Sequence, residues 1–208
     1  MKIDTFRVGI IDTNCYMVTD EATGESLLVD PGDISPKLIQ AVENKNIKYI
    51  LLTHGHYDHI LGVAKLKKIT DAKVLISKED APCLYDDELS RAGLHFPEPQ
   101  EHIVADRELS DGDVIDFGGK EIKVMATPGH TPGCVCYIFE SSKVIFSGDT
   151  LFRLSRGRTD FVSGSETDII KSLSKLAELE GDYTVFPGHG GATTLDFERQ
   201  YNPYMRNC

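Results

Sequence analysis

The segment from Ile47 to His59 constrains the fold of this chain more than any other. Ile47–Thr53 reads Ile-Lys-Tyr-Ile-Leu-Leu-Thr, an apolar run of strand length that predicts a buried strand. It passes directly into His54-Gly55-His56-Tyr57-Asp58-His59, and Ile60, Leu61, Val63, Ala64 and Leu66 then recur at helical spacing to about Ile69. A strand-to-helix junction lies at the rim of a sheet, where side chains can converge on a cleft. Gly55 lets the backbone turn tightly between two imidazoles. His54 and His56 can then reach one cation, while Asp58 and His59, at the opening of the helix, face another.

Three further segments share the same punctuation. Thr127-Pro128-Gly129-His130-Thr131, Ser147-Gly148-Asp149-Thr150 and Phe186-Pro187-Gly188-His189-Gly190 each follow a predicted strand. In each, a glycine precedes the candidate ligand and lets backbone approach a shared site closely. Imidazoles and carboxylates together suit zinc, or iron and manganese. Seven such residues at strand ends are not read as coincidence. His95 and His102 lack that context and are read as ordinary surface or core histidines.

The remaining pattern places these loops in an α/β architecture. A hairpin is expected from Asn14–Thr19 and Ser26–Val29 around Thr23-Gly24. Asp30-Pro31-Gly32 ends it, and a helix follows with Ser35 as N-cap and Pro36 at its first position. Lys73–Ser77 reads as a strand and Lys78–Tyr85 as a short helix. Residues 86–101 carry Pro97, Pro99 and scattered acids without periodicity, the pattern of a long loop. Strands are expected at Ile103–Leu109, Val114–Phe117, Glu121–Ala126, Cys134–Phe139 and Lys143–Ser147. A helix is expected over Thr167–Leu179, then a strand at Thr184–Phe186. Two groups of strands with helices outside them imply a sheet sandwich covered by helices, here a single domain over residues 1–208.

Charge narrows the partners. With 22 basic and 33 acidic residues the net charge is −11, which disfavours nucleic acid. Met1–Ile11 mixes Lys2, Asp4 and Arg7 among its apolar residues, and no apolar run reaches membrane-spanning length. The expectation is a cytoplasmic protein acting on a small molecule, away from membranes and nucleic acid. The five cysteines, Cys15, Cys83, Cys134, Cys136 and Cys208, are odd in number and show no CxxC pair, so they are read as core thiols.

Taken together, Thr-His-x-His-x-Asp-His, Pro-Gly-His-Thr, Gly-Asp-Thr-Leu-Phe and Pro-Gly-His-Gly, in this order, resemble the metallo-β-lactamase superfamily, and within it the glyoxalase II (hydroxyacylglutathione hydrolase) branch. The resemblance implies a four-layer αβ/βα sandwich with the site at one edge of the two sheets. It implies that His54, His56 and His130 bind a first metal ion, that Asp58, His59 and His189 bind a second, and that Asp149 bridges them. Asp30 matches an acidic residue that orients the ligands rather than one of them. Two divalent ions, zinc first, would share and ionise a water that attacks a thioester carbonyl. Asp58 and Asp149 are the candidate catalytic carboxylates, able to orient that water or take its proton. Arg158, in Gly157-Arg158-Thr159-Asp160, resembles a basic residue that touches the glutathione moiety; its alternative role is an ion pair with Asp160.

The chain departs from the full-length branch after His189, where only 19 residues remain. That is too few for the helical C-terminal domain that grips glutathione, so a smaller or different thioester or ester is also open. Lactamase activity proper is disfavoured, because lactamases usually lack the bridging aspartate at the position of Asp149. Two other readings stand beside the hydrolase. A mononuclear iron persulfide dioxygenase shares the scaffold and the Gly157–Phe161 loop, and a non-catalytic metal-binding module would keep ligands without chemistry.

Overall fold

The computed structural model describes residues 1–206; Cys208 lies outside the described residues. The elements run β1 (Lys2–Val8), β2 (Thr13–Thr19), β3 (Glu25–Val29), α1 (Pro36–Val42), β4 (Asn46–Leu51), α2 (Tyr57–Ile60), α3 (Val63–Thr70), β5 (Lys73–Ser77), β6 (Arg107–Leu109) and β7 (Val114–Phe117). They continue with β8 (Lys120–Ala126), β9 (Val135–Phe139), β10 (Val144–Gly148), β11 (Leu151–Phe152), β12 (Ser155–Arg156), α4 (Glu166–Ala177), β13 (Thr184–Pro187), β14 (Thr193–Thr194) and α5 (Leu195–Tyr201).

Two six-stranded sheets form, in the orders β1-β2-β3-β4-β5-β6 and β14-β13-β10-β9-β8-β7. Alternate side chains on their strands feed different layers. Leu27, Val29, Leu51 and Leu75 of the first sheet meet Val124, Val135, Tyr137, Phe139 and Phe146 of the second between the sheets. Their strand neighbours Leu28, Ile50, Leu52, Val74 and Ile76 face outward, against Leu38 and Val42 of α1 and Val63 and Leu66 of α3. On the opposite outer face, Cys136, Ile138, Ile145 and Val185 pack on Leu173 and Leu176 of α4 and Leu195 of α5. The expected αβ/βα sandwich follows. The central strands are apolar on both faces, so they read as continuous runs rather than alternating ones.

The differences from the sequence reading have local causes. β1 escapes a hydrophobic pattern because it is an edge strand with Lys2, Asp4 and Arg7 along it, the usual protection of a free edge. The helix expected from Ile60 to Ile69 is two helices. Gly62 breaks it: its N–H bonds the carbonyl of Pro31 at 2.9 Å, and a Cβ there would lie 2.5 Å from that oxygen. Lys78–Tyr85 holds only a 3-10 turn, Ala81–Leu84. The strand expected at Ile103–Leu109 pairs only over Arg107–Leu109. β11, β12, β14 and α5 are too short to leave a periodic pattern. Ser35 caps α1 as expected, accepting from Leu38 N, with Pro36 at the first position. The four described cysteines are free and buried. No helix among the described residues is long and apolar enough to cross a membrane.

Candidate metal centre

All four loops that carry candidate ligands open at the same edge of the sandwich. Strand β4 delivers His54, and α2 begins with Tyr57, Asp58 and His59. The loop between β8 and β9 delivers His130, the end of β10 Asp149, and the end of β13 His189. The seven residues named from sequence group into three overlapping sets whose donor atoms lie within 4.8 Å of one another: His54, His56 and His130; His54, His59 and Asp149; Asp58, His59 and His189.

Three of the imidazoles are aimed by what their other nitrogen touches. His54 Nδ1 lies 3.2 Å from Thr53 Oγ1 and His130 Nδ1 2.8 Å from the carbonyl oxygen of Arg158, leaving both Nε2 atoms toward the site. His59 Nδ1 lies 3.0 Å from Asp30 Oδ2. His56 Nδ1 faces His130 Nε2 at 2.9 Å. A carboxylate or hydroxyl behind an imidazole fixes its tautomer and turns a lone pair forward, the arrangement found behind metal-bound histidines.

His54 Nε2, His59 Nε2 and Asp149 Oδ1 are buried and have no hydrogen-bond partner among the described residues. A buried polar atom without a partner costs about 1–3 kcal/mol, and three converging ones are the imprint of a cation. The donor set of five imidazoles and two carboxylates fits a divalent pair by chemistry as well as by geometry. Asp149 stands between the trios: its oxygens lie 3.4 Å from His59 Nε2, 3.5 Å from His130 Nε2 and 3.7 Å from His189 Nε2.

The two trios differ in charge. Burial, then the imidazoles of His59, His56 and His130, holds His54 well below the usual histidine range. Burial, then His130, brings His56 down to about 3. His59 goes the other way: burial opposes its charged form, but Asp58, Asp30 and Asp149 outweigh it and raise the ring well above its ordinary value. His189 is also raised, because its contact with Asp58 and the charge of Asp149 outweigh burial. Asp58 sits well below the carboxylate range, since His59 and His189 overcome the effect of burial. Its Oδ2 also accepts a 3.0 Å hydrogen bond from Thr13 Oγ1.

Asp30 occupies the position foreseen for it, behind the site. Oδ1 accepts from Thr53 N at 2.7 Å, and Oδ2 accepts from Thr53 Oγ1 at 2.6 Å while facing His59. It therefore backs His59 directly and His54 through Thr53. Its backbone is left-handed, with φ +50°, a conformation an aspartate adopts only where the surroundings hold it. Asp80 is a residue that sequence reasoning missed. Its carboxylate accepts from Gly55 N at 2.9 Å, Gly133 N at 2.9 Å and Thr131 Oγ1 at 2.6 Å, joining the first ligand loop to the loop of His130. Nothing in Lys78–Tyr85 marks that carboxylate as buried. The glycine before His189 is sterically required: a Cβ on Gly188 would sit 2.2 Å from Asp149 Oδ1.

Above the centre lies a cleft of about 530 Å³ whose walls include Tyr57, Phe152, Arg156, Arg158 and Phe161. Arg158 is placed there as foreseen, but its guanidinium holds Asp160 through two hydrogen bonds of 2.6 and 2.5 Å. The loop 86–101 also reaches the cleft, through Arg91 and His95. His95, read from sequence as an ordinary surface or core histidine, lies in the cleft wall and packs on the Tyr57 ring at 4.5 Å. His102 is a surface residue 3.2 Å from Asp87.

Comparison with known proteins agrees with this geometry. Residues 8–189 match the family model of the metallo-beta-lactamase superfamily. A hydroxyacylglutathione hydrolase, GloC, of Haemophilus influenzae is 32% identical, over 100% of this chain and 99% of its own. Among solved structures, BLEG-1, described as a B3 metallo-beta-lactamase, superposes with a TM-score of 0.92 at 32% identity, covering 98% of this chain and 99% of its own. TTHA1623, described in a di-iron-bound form, superposes at 0.84 with 32% identity, covering 97% and 99%.

Proposed function

Because the chain belongs to the metallo-beta-lactamase superfamily, a superfamily of metallo-hydrolases, we propose that it is a two-metal hydrolase of acyl thioesters of the hydroxyacylglutathione kind. The observation that carries this is the set of buried atoms without a hydrogen-bond partner, His54 Nε2, His59 Nε2 and Asp149 Oδ1, converging with the other donors of both trios. His54, His56 and His130 would hold one ion and Asp58, His59 and His189 the other, with Asp149 between them. When bound, a zinc pair supplies Lewis acidity toward a carbonyl and lowers the pKa of water toward neutrality.

The chain's own residues do the rest. Asp58, which His59 and His189 keep ionised, would orient an attacking water, and Asp149 would orient it or take its proton. Asp30 and Thr53 keep His59 and His54 facing inward. The Arg158 carbonyl does the same for His130, whatever its guanidinium does. Tyr57, Phe152 and Phe161 give the cleft apolar walls that suit an acyl chain and a sulfur leaving group. The position of Asp149 between both trios favours a thioesterase over a lactamase, and the name of the Haemophilus relative agrees. The substrate is a small molecule, and the cytoplasm is the compartment proposed.

Metal analysis with a substrate screen tests this reading. Two zinc ions per chain are expected, with hydrolysis of S-lactoylglutathione that chelation removes and added zinc restores. One iron per chain with oxygen uptake on glutathione persulfide would overturn it. So would opening of a β-lactam without any thioester turnover.

A further inference from the structure

The arginines around the cleft are not equivalent. Arg158 is committed to Asp160 through two bonds, and Arg156 to Glu166, with a 2.6 Å contact to Oε1. Arg91 lies in the opposite lip, in the loop 86–101. Among the described residues no carboxylate lies within ion-pair distance of its guanidinium, which rests 4.0 Å from the centre of the Phe161 ring. Arg158 lies over the same ring at 4.5 Å. That ring in turn meets His56 and His130 edge to face, at 5.3 and 5.5 Å. Phe161 therefore separates Arg91 from the first trio by the width of one ring.

The position of Arg91 is built, not incidental. The carbonyl of Ser90 accepts a 2.8 Å hydrogen bond from Tyr57 N, the first residue of α2. Ser90 Oγ bonds Gln100 Oε1 at 2.9 Å, and Gln100 Nε2 bonds the carbonyl of Cys83 at 2.7 Å. The loop is thus pinned beside the segment that carries Asp58 and His59. Arg91 itself takes a left-handed backbone, φ +66°, a conformation uncommon for a residue with a long side chain. An unpaired guanidinium over an aromatic wall of a concave site is a receptor for a planar anion.

We propose that Arg91, rather than Arg158, is the specificity-determining cation of this cleft, and that it binds a carboxylate carried by the thiol portion of the substrate. The inference rests on the thioesterase reading for the identity of the ligand. It gives the loop 86–101 the part of gripping the substrate end remote from the scissile bond.

The test is calorimetric binding of two thioethers that cannot be hydrolysed at sulfur, S-methylglutathione and its diamide, to the zinc-loaded protein. Wild type should bind the diacid at least ten-fold more tightly than the diamide. Arg91→Ala should abolish that preference, Arg91→Lys should keep part of it, and Arg158→Ala should reduce it less than three-fold. A preference that survives Arg91→Ala, or that falls with Arg158→Ala instead, overturns the proposal. Loss of the preference in Arg91→Lys as severe as in Arg91→Ala would assign the effect to loop geometry rather than charge, and would overturn it too. Failure to hydrolyse any thioester, with the Arg91-dependent preference intact, would overturn the thioesterase reading and leave the anion site standing.

Discussion

The first trio, His54, His56 and His130, and the second, Asp58, His59 and His189, share the loop after β4, each adding one histidine from the second sheet, but solve opposite electrostatic problems. In the first, imidazoles crowd one another out of water, and His54 and His56 are pushed toward the neutral form. In the second, Asp58, Asp149 and Asp30 surround His59 and draw a proton onto it, and His189 follows. A neutral imidazole is a ready ligand, whereas a protonated one must first release its proton. The lesson is that two sites a few ångströms apart can differ in how readily they load, with the difference written in where the carboxylates stand.

The largest expected effect comes from removing what the trios share. Asp149→Ala should lose at least one metal per chain and about 10³-fold in kcat/KM, the scale of several kcal/mol of lost charge stabilisation. Metal analysis beside thioester kinetics checks it, and a variant with both metals and normal turnover refutes the bridging role. Next comes acidity. His59 and His189 have raised pKa values, so protons compete for the second trio as pH falls. His56, at about 3, stays unprotonated far lower. Dialysis at successively lower pH from 8 to 5 should therefore release one ion per chain before the other, with the His54–His56–His130 site retained. Simultaneous release would erase the distinction.

Smaller effects separate the supports. Asp30→Asn should weaken both sites, the second more, by about 10–100-fold in affinity, because Asp30 backs His59 directly. Thr53→Val should weaken chiefly the first, since Thr53 Oγ1 stands behind His54. Titration of the metal-free variants with zinc reads both. The smallest is Ser172→Ala. Ser172 Oγ in α4 donates 2.7 Å to the carbonyl of Pro128, two residues before His130. Its loss should cost about 1 kcal/mol by denaturant unfolding and leave the second trio's affinity unchanged.

How far the sequence carried depended on whether a residue's role left a local mark. Ile47–Thr53 announced a buried strand because both its faces are covered, and the glycines before His130, Asp149 and His189 announced close approach. A sheet sandwich covered by helices followed from the order of such segments, and its four-layer form from the family resemblance. Asp80 left no mark, since a carboxylate in a polar stretch looks the same whether it is solvated or holds three donors inside the protein. Arg91 left none either: the absence of regular pattern in 86–101 told of a loop but not of which way it folds. β11 and β12 turn at Leu154, a non-glycine with φ +57°, so the usual turn chemistry was missing. For Arg158 both candidate contacts were visible in the sequence, but only the folded loop shows the ion pair with Asp160 formed.

The residues proposed to hold each ion come from both sheets. His54 and His56 leave the first sheet and His130 the second; Asp58 and His59 follow the first and His189 the second. Each bound ion would therefore rivet the two halves of the sandwich across their seam. Prising the sheets apart would require ejecting the ions, so resistance to heat should track free zinc concentration, by about 2.7 kcal/mol at a hundred-fold excess over the dissociation constant. A melting temperature that ignores zinc would show that the seam holds by side-chain packing alone.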